Sequence, residues 1–186
     1  LSWSTASDAA TPDPSAAPGA SDTAYFNIST LTTPQTVNLY TGPSVQGLVF
    51  ASAGRVTIAT GTANNRTITL GSGGVTLPSG SGGAVIGSAT SNRKIAITLS
   101  AAQTWQNDSA SPLVGVGTPS GDLSLGAYVL TVGGSGNTIL TNIIKSTTGG
   151  NGLTKTGGGK LTLAGANTYN GATLVQGGTL AVAAPS

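Results

Sequence analysis

From Tyr25 onward the chain keeps returning to one small unit, a few residues in which Val, Ile or Leu alternate with Thr, Ser or Ala, closed by Gly, Asn or Ser. Gly47-Leu48-Val49-Phe50, Val56-Thr57-Ile58, Thr67-Ile68-Thr69-Leu70, Val75-Thr76-Leu77 and Ala84-Val85-Ile86 open the series. Ile95 to Leu99, Leu113-Val114, Leu123 to Leu125, Tyr128 to Val132, Ile139-Leu140 and Ile143-Ile144 continue it, and Leu161 to Leu163, Thr173 to Val175 and Thr179 to Val182 end it. Period-two alternation is the mark of a strand with one buried face. No stretch holds helical i, i+3, i+4 spacing long enough to survive the glycine density. Strands recurring at about 8 to 12 residues fit either a sandwich or a solenoid. The strands here are very short, and the turns are rich in Gly and Asn rather than built as tight hairpins. With few aromatics, the interior must be narrow enough for stacked Val, Ile, Leu and Ala to fill. The expected fold is therefore all-β, a parallel β-helix or β-solenoid.

Composition removes most chemistry. The 186 residues include no Cys, His or Met, which excludes disulfides, thiolate and imidazole catalysis and His- or Cys-based metal sites. The five acids are all aspartates, Asp8, Asp13, Asp22, Asp108 and Asp122, which leaves little for general acid/base work. Arg55, Arg66, Arg93, Lys94, Lys145, Lys155 and Lys160 are scattered, so the net charge of +2 describes no basic patch and no nucleic-acid surface is expected. Regular β-branched runs within 38% hydrophobic content argue against disorder. No apolar run approaches the roughly 20 residues of a membrane span. The opening residues do not read as a signal peptide, so a secreted chain would already have lost it.

Residues 1 to 23 read as a flexible leader or an extended arm, because Pro12, Pro14, Pro18 and Gly19 interrupt a run of Ser, Ala and Asp. Trp3 stands out there as a large aromatic that seeks a pocket or caps the first coil. Residues 24 to 186 form the solenoid.

Its C-terminal part carries an ordered motif, Gly152-Leu153-Thr154-Lys155-Thr156-Gly157-Gly158-Gly159-Lys160-Leu161-Thr162-Leu163, then Gly165, Asn167-Thr168-Tyr169 and Gly171. Thr173, Val175, Gly178-Thr179-Leu180 and Val182 complete it. Residues 152 to 182 thus resemble the autotransporter-associated β-strand repeat, the passenger-associated repeat of bacterial surface proteins. Ile97 to Trp105 and Gly19 to Phe26 resemble segments that accompany it. The resemblance implies a right-handed parallel β-helix, export across the bacterial envelope and display at the cell surface or outside it. The alternating membrane strands of a translocator barrel are not seen in the sequence. Within the motif, Gly157 to Gly159 and Gly177-Gly178 are expected in turns of positive φ. Leu161, Leu163, Leu180 and Val182 should point inward, Asn167 should stack in an internal polar ladder, and Tyr169 should pack as a turn aromatic.

No catalytic, cofactor or metal site emerges, and the chain reads as a non-enzyme. Asp108 and Asp122 could be imagined as a carboxylate pair, but their neighbours are turn formers. The GGxGxD signature of calcium-binding solenoids is absent. The sequons at Asn27, Asn65 and Asn107 are of the kind that a Ser/Thr/Asn-rich chain generates by chance. What remains is the edge problem, since a parallel solenoid ends in strands with unpaired backbone groups that must be capped or will pair with another chain. The sequence therefore points to a structural subunit of an extracellular filament or surface layer. Such a subunit assembles with its own copies head to tail through Leu1 and Trp3 of the arm and Leu174, Val175, Leu180 and Val182 of the last coil. The alternative is a passenger or adhesin segment that binds a host or carbohydrate surface, which would make surface glycans a partner. Neither reading involves membrane insertion or a cofactor.

Overall fold

The computed structural model describes residues 17–28, 32–61, 64–87, 93–115, 121–147 and 149–183. Most of the expected arm, with Leu1 and Trp3, lies outside the described residues. Among those described, every regular element is a strand and every ladder is parallel. The all-β parallel solenoid is thus the observed fold.

The first turns are built from β1 (Thr23–Phe26) and β2 (Gln35–Leu39), β3 (Ser44–Phe50) and β4 (Val56–Thr60), and β5 (Arg66–Leu77) and β6 (Ala84–Ile86). Three-strand turns follow: β7 (Ile95–Leu99), β8 (Gln103–Asn107) and β9 (Leu113–Gly115), then β10 (Leu123–Ser124), β11 (Leu130–Gly133) and β12 (Thr138–Leu140). The next is β13 (Ile144–Lys145), β14 (Leu153–Lys155) and β15 (Lys160–Leu163), and β16 (Thr173–Val175) and β17 (Thr179–Val182) are the last strands described. One sheet holds seven strands in the order β17-β15-β12-β9-β6-β4-β2. The other holds ten and forks at β5, whose first half pairs with β7 while its second half pairs with β8. The fork is a corner of the solenoid. From there one face runs β7, β10, β13 and a second runs β8, β11, β14, β16, so the chain visits three faces per turn.

Register turns the alternation into columns. On the β8 face the inward column is Val75, Trp105, Val132, Lys155 and Val175. On the seven-stranded face it is Ile58, Ile86, Gly115, Leu140, Leu163 and Val182. The apolar members up to Leu163 are almost wholly enclosed. At the N-terminal end, Phe26 and Phe50 are register partners and stack with ring centroids 4.9 Å apart. Trp105 is fully buried, and its indole Nε1 donates to Gln103 Oε1 at 3.0 Å, which satisfies the one polar group that burial would otherwise strand.

Several expectations are corrected. β2, β8 and β14 were not among the apolar triplets, because Gln, Asn, Thr or Lys interrupts each one. Residues 67–70 and 75–77, read as two strands, form the single strand β5, which turns the corner through its glycines, Gly74 having φ +59°. Of the motif's turn glycines only Gly157 and Gly178 have positive φ, at 67° and 69°. Gly159 is needed for closeness instead: a Cβ there would lie 2.1 Å from the carbonyl oxygen of Gly136 in the turn below. Asn167 caps backbone rather than pairing with another side chain through its oxygen, since its Oδ1 accepts the backbone N–H of Ile144 at 2.8 Å. Other corner asparagines also sew turn to turn, with Asn107 Nδ2 donating to the carbonyl of Asn137 and Asn142 Nδ2 to that of Gly121, both at 2.7 Å. Side-chain amides thus extend the ladder through corners where backbone pairing stops.

Trp105→Ala is expected to lower unfolding free energy by about 3–5 kcal/mol through loss of the side chain and the cavity left behind. Urea denaturation followed by circular dichroism measures it.

Candidate functional site

The last described turn differs from those beneath it. None of the three residues of β16 is buried, and β17 buries its side chains only in part. Leu174 is 51% exposed, Val175 48% and Val182 70%, whereas Leu161 and Leu163, one turn below, are 0% and 2% exposed. Register explains this. Leu180 sits over Leu161 and Val182 over Leu163, so both occupy inward columns as the motif requires, with no further strand above them among the described residues. Leu180 is partly buried and packs on the core. Val175 sits over Lys155 in the inward column, but Leu174 pairs with the outward Thr154. Four apolar side chains therefore crown the turn, three from inward columns and one from an outward column that carries threonine at Thr104, Thr131 and Thr154. The segment from Leu161 onward contains no charged residue. The edge strands accordingly lack the lysine or inward charge that commonly blunts an open sheet edge.

The structure places these four on the last described turn, two on each of two faces, and Leu1 and Trp3 lie outside the described residues. Tyr169 packs on the core and its hydroxyl lies 2.7 Å from Thr173 Oγ1, which anchors the stretch leading into β16. Asp108 and Asp122 belong to different corners. Asp108 accepts hydrogen bonds from Gln106 Nε2 and the Ser135 N–H, while Asp122 forms an ion pair with Lys145 of the next turn. Both serve turn geometry. Asn107, the third sequon asparagine, is fully buried with its amide committed to the fold.

The residue that sequence reasoning missed is Lys155, the only charged side chain buried among the described residues. It occupies an inward position of β14, and its Nζ donates to the carbonyl oxygens of Thr156, of Gly157 at 3.0 Å and of Gly177 at 3.4 Å. Its alternation with Leu153 was the available signal, since β14 has the burial pattern of any strand here with lysine at an inward place. Burial removes water from the ammonium and holds its pKa below the ordinary 10.5.

Residues 153–182 match the family model described as the passenger-associated-transport-repeat. No curated protein and no solved structure matches the chain. The matched segment begins with β14 and ends with β17, so one repeat supplies the seven-stranded face with β15 and β17 and the β8 face with β14 and β16. The repeat and the parallel solenoid around it fit a passenger-like protein of the bacterial surface or exterior.

The sign of the Lys155 effect on stability follows from linkage. Its folded pKa is lowered, so between that value and 10.5 the unfolded chain binds more protons and stability rises with pH. The desolvation penalty is fully present below the folded pKa and is relieved as pH climbs through that window. The stability difference between the native chain and Lys155→Met should therefore shift in favour of the native chain as pH approaches 10.5. Urea titrations in alkaline buffers measure it, and a flat difference would contradict the sign.

Proposed function

We propose that this chain is a structural element of the bacterial cell exterior, without catalytic activity, that assembles with copies of itself head to tail into a filament or surface layer. The observation that carries this reading is the last described turn. Its uncharged edge strands present Val175, Leu180 and Val182 in columns that every lower turn covers with another strand. A second copy adding a parallel strand pair there gains backbone hydrogen bonds along two faces, and each newly covered Val or Leu side chain contributes up to about 1.5–3 kcal/mol. Leu174 adds apolar surface outside the column. The N-terminal arm, through Leu1 and Trp3, or the first turn at β1 and β2, supplies the complementary end, and contacts that do not close on themselves give a helical fibre.

A second reading is favoured by the match at residues 153–182. As a passenger segment of a longer surface protein, the chain would continue its solenoid through further turns of the same polypeptide, with the outward turns binding a host or carbohydrate surface. The same edge serves both readings, and they differ in whether the turn that covers it comes from a second copy.

Negative-stain electron microscopy of the purified chain over a concentration series separates them. Fibres that lengthen with concentration are expected, and Val182→Lys, which places a charge on the edge without disturbing the core, should leave short particles with unchanged circular dichroism. Isolated rods at every concentration would remove the assembly reading and direct attention to glycan binding.

A further inference from the structure

The last described turn is held in place with less packing than the turns beneath it. β16 buries nothing, and Thr173 and Val175 are small inward residues. The turns beneath are different, because the column under Lys155 is filled by Val132 and the large ring of Trp105. At Lys155 the column changes from apolar contact to a hydrogen-bonding cation. The amine reaches along the corner after β14 to the carbonyls of Thr156 and Gly157, and across to Gly177, in the corner after β16. Two turns thus share one side chain.

The corner above it is shaped for that cation. Gly178 has φ +69°, and a Cβ there would lie 2.9 Å from Lys155 Nζ and 2.4 Å from the carbonyl oxygen of Gly159. A side chain would separate the two corners, and glycine lets backbone carbonyls converge. No salt bridge is formed by Lys155 among the described residues. β11, β16 and the corners 134–136, 156–159 and 176–178 contain no Asp, Glu, Lys or Arg beside it. Backbone carbonyls are thus its partners in this enclosure, and a buried ammonium needs such partners because they replace the hydration it loses.

We infer that Lys155 is a turn-to-turn latch, a cation placed in the interior by β14 whose carbonyl cage is completed only when the following turn docks through Gly177. Before that turn docks, the ammonium holds the carbonyls of its own corner and keeps the rest of its hydration from the open end. Docking exchanges the water for the Gly177 carbonyl and encloses the charge. The latch therefore ties the order of the last described turn to one side chain in addition to the packing of Leu180 and Tyr169, and it gives the repeat's lysine and paired glycines a joint role. Lys155 acts as a positioning residue for residues 173–183.

Hydrogen exchange by mass spectrometry on the full chain tests this, with peptides from 123–133 as an internal reference. Lys155→Met keeps the side-chain volume and removes the donors. The latch requires exchange in 173–183 to quicken by about tenfold, the scale of one hydrogen bond to a charged donor, while 123–133 stays unchanged. Unchanged or greater protection in 173–183 would show that lysine only fills space and would overturn the inference. A second measurement needs no substitution: amine acetylation of the native chain in low urea, with Lys160 as the exposed control. Labelling of Lys155 should rise in step with exchange in 173–183. Labelling that waits for global unfolding would overturn the latch.

Discussion

Everything in this structure depends on parallel stacking of turns at the spacing of one strand, about 4.8 Å. At that distance a residue's surroundings above and below are the residues at the same place in neighbouring turns. Each position therefore belongs to a column, and a column must agree on whether it points in, points out or turns a corner. Trp105 can lie in a narrow interior because Val75 and Val132 on either side leave room for it. Phe26 meets Phe50 for the same reason. The corner glycines answer the same constraint in the backbone, since a Cβ at Gly159 would occupy the carbonyl oxygen of Gly136.

The strands were legible in the sequence wherever inward residues are aliphatic, which covers most of the solenoid. Period-two alternation is a local signal, and Val, Ile and Leu carry it clearly in β4, β6, β7 and β17. The signal failed where an inward place holds a polar or unusual residue. β8 has Gln103, Trp105 and Asn107 inward, all buried and all bonded, so its local pattern does not look apolar. β14 places Lys155 inward, and a lysine read in isolation is a solvated charge. Only the column reveals otherwise, and the column exists only once register is known.

The end of the described solenoid was legible in another way. The motif puts Leu180 and Val182 on the inward side, and register places both in inward columns. That Val182 is nonetheless exposed is no failure of the motif, because an inward position is buried by the turns on both sides of it. Leu174 was also visible as an apolar residue, but its outward orientation beside Thr154 was not, since a three-residue strand leaves the phase of alternation open. Asn167 was misjudged for a related reason. An amide can stack on its like or cap a neighbouring backbone, and the choice depends on corner geometry that the sequence does not encode locally.

Parallel ladders have a mechanical side as well. The interstrand hydrogen bonds lie along the axis on which turns stack, so tension applied between the two ends is carried in full by every interface in series, and the weakest interface yields first. A pulled solenoid of this kind yields by peeling, releasing one turn of chain per event, each residue contributing up to about 3.5 Å of new length. Compression and bending instead press closely packed columns against one another. Such an element resists being pushed yet pays out slack when it is drawn, which is the behaviour of a tether with a shock-absorbing reserve.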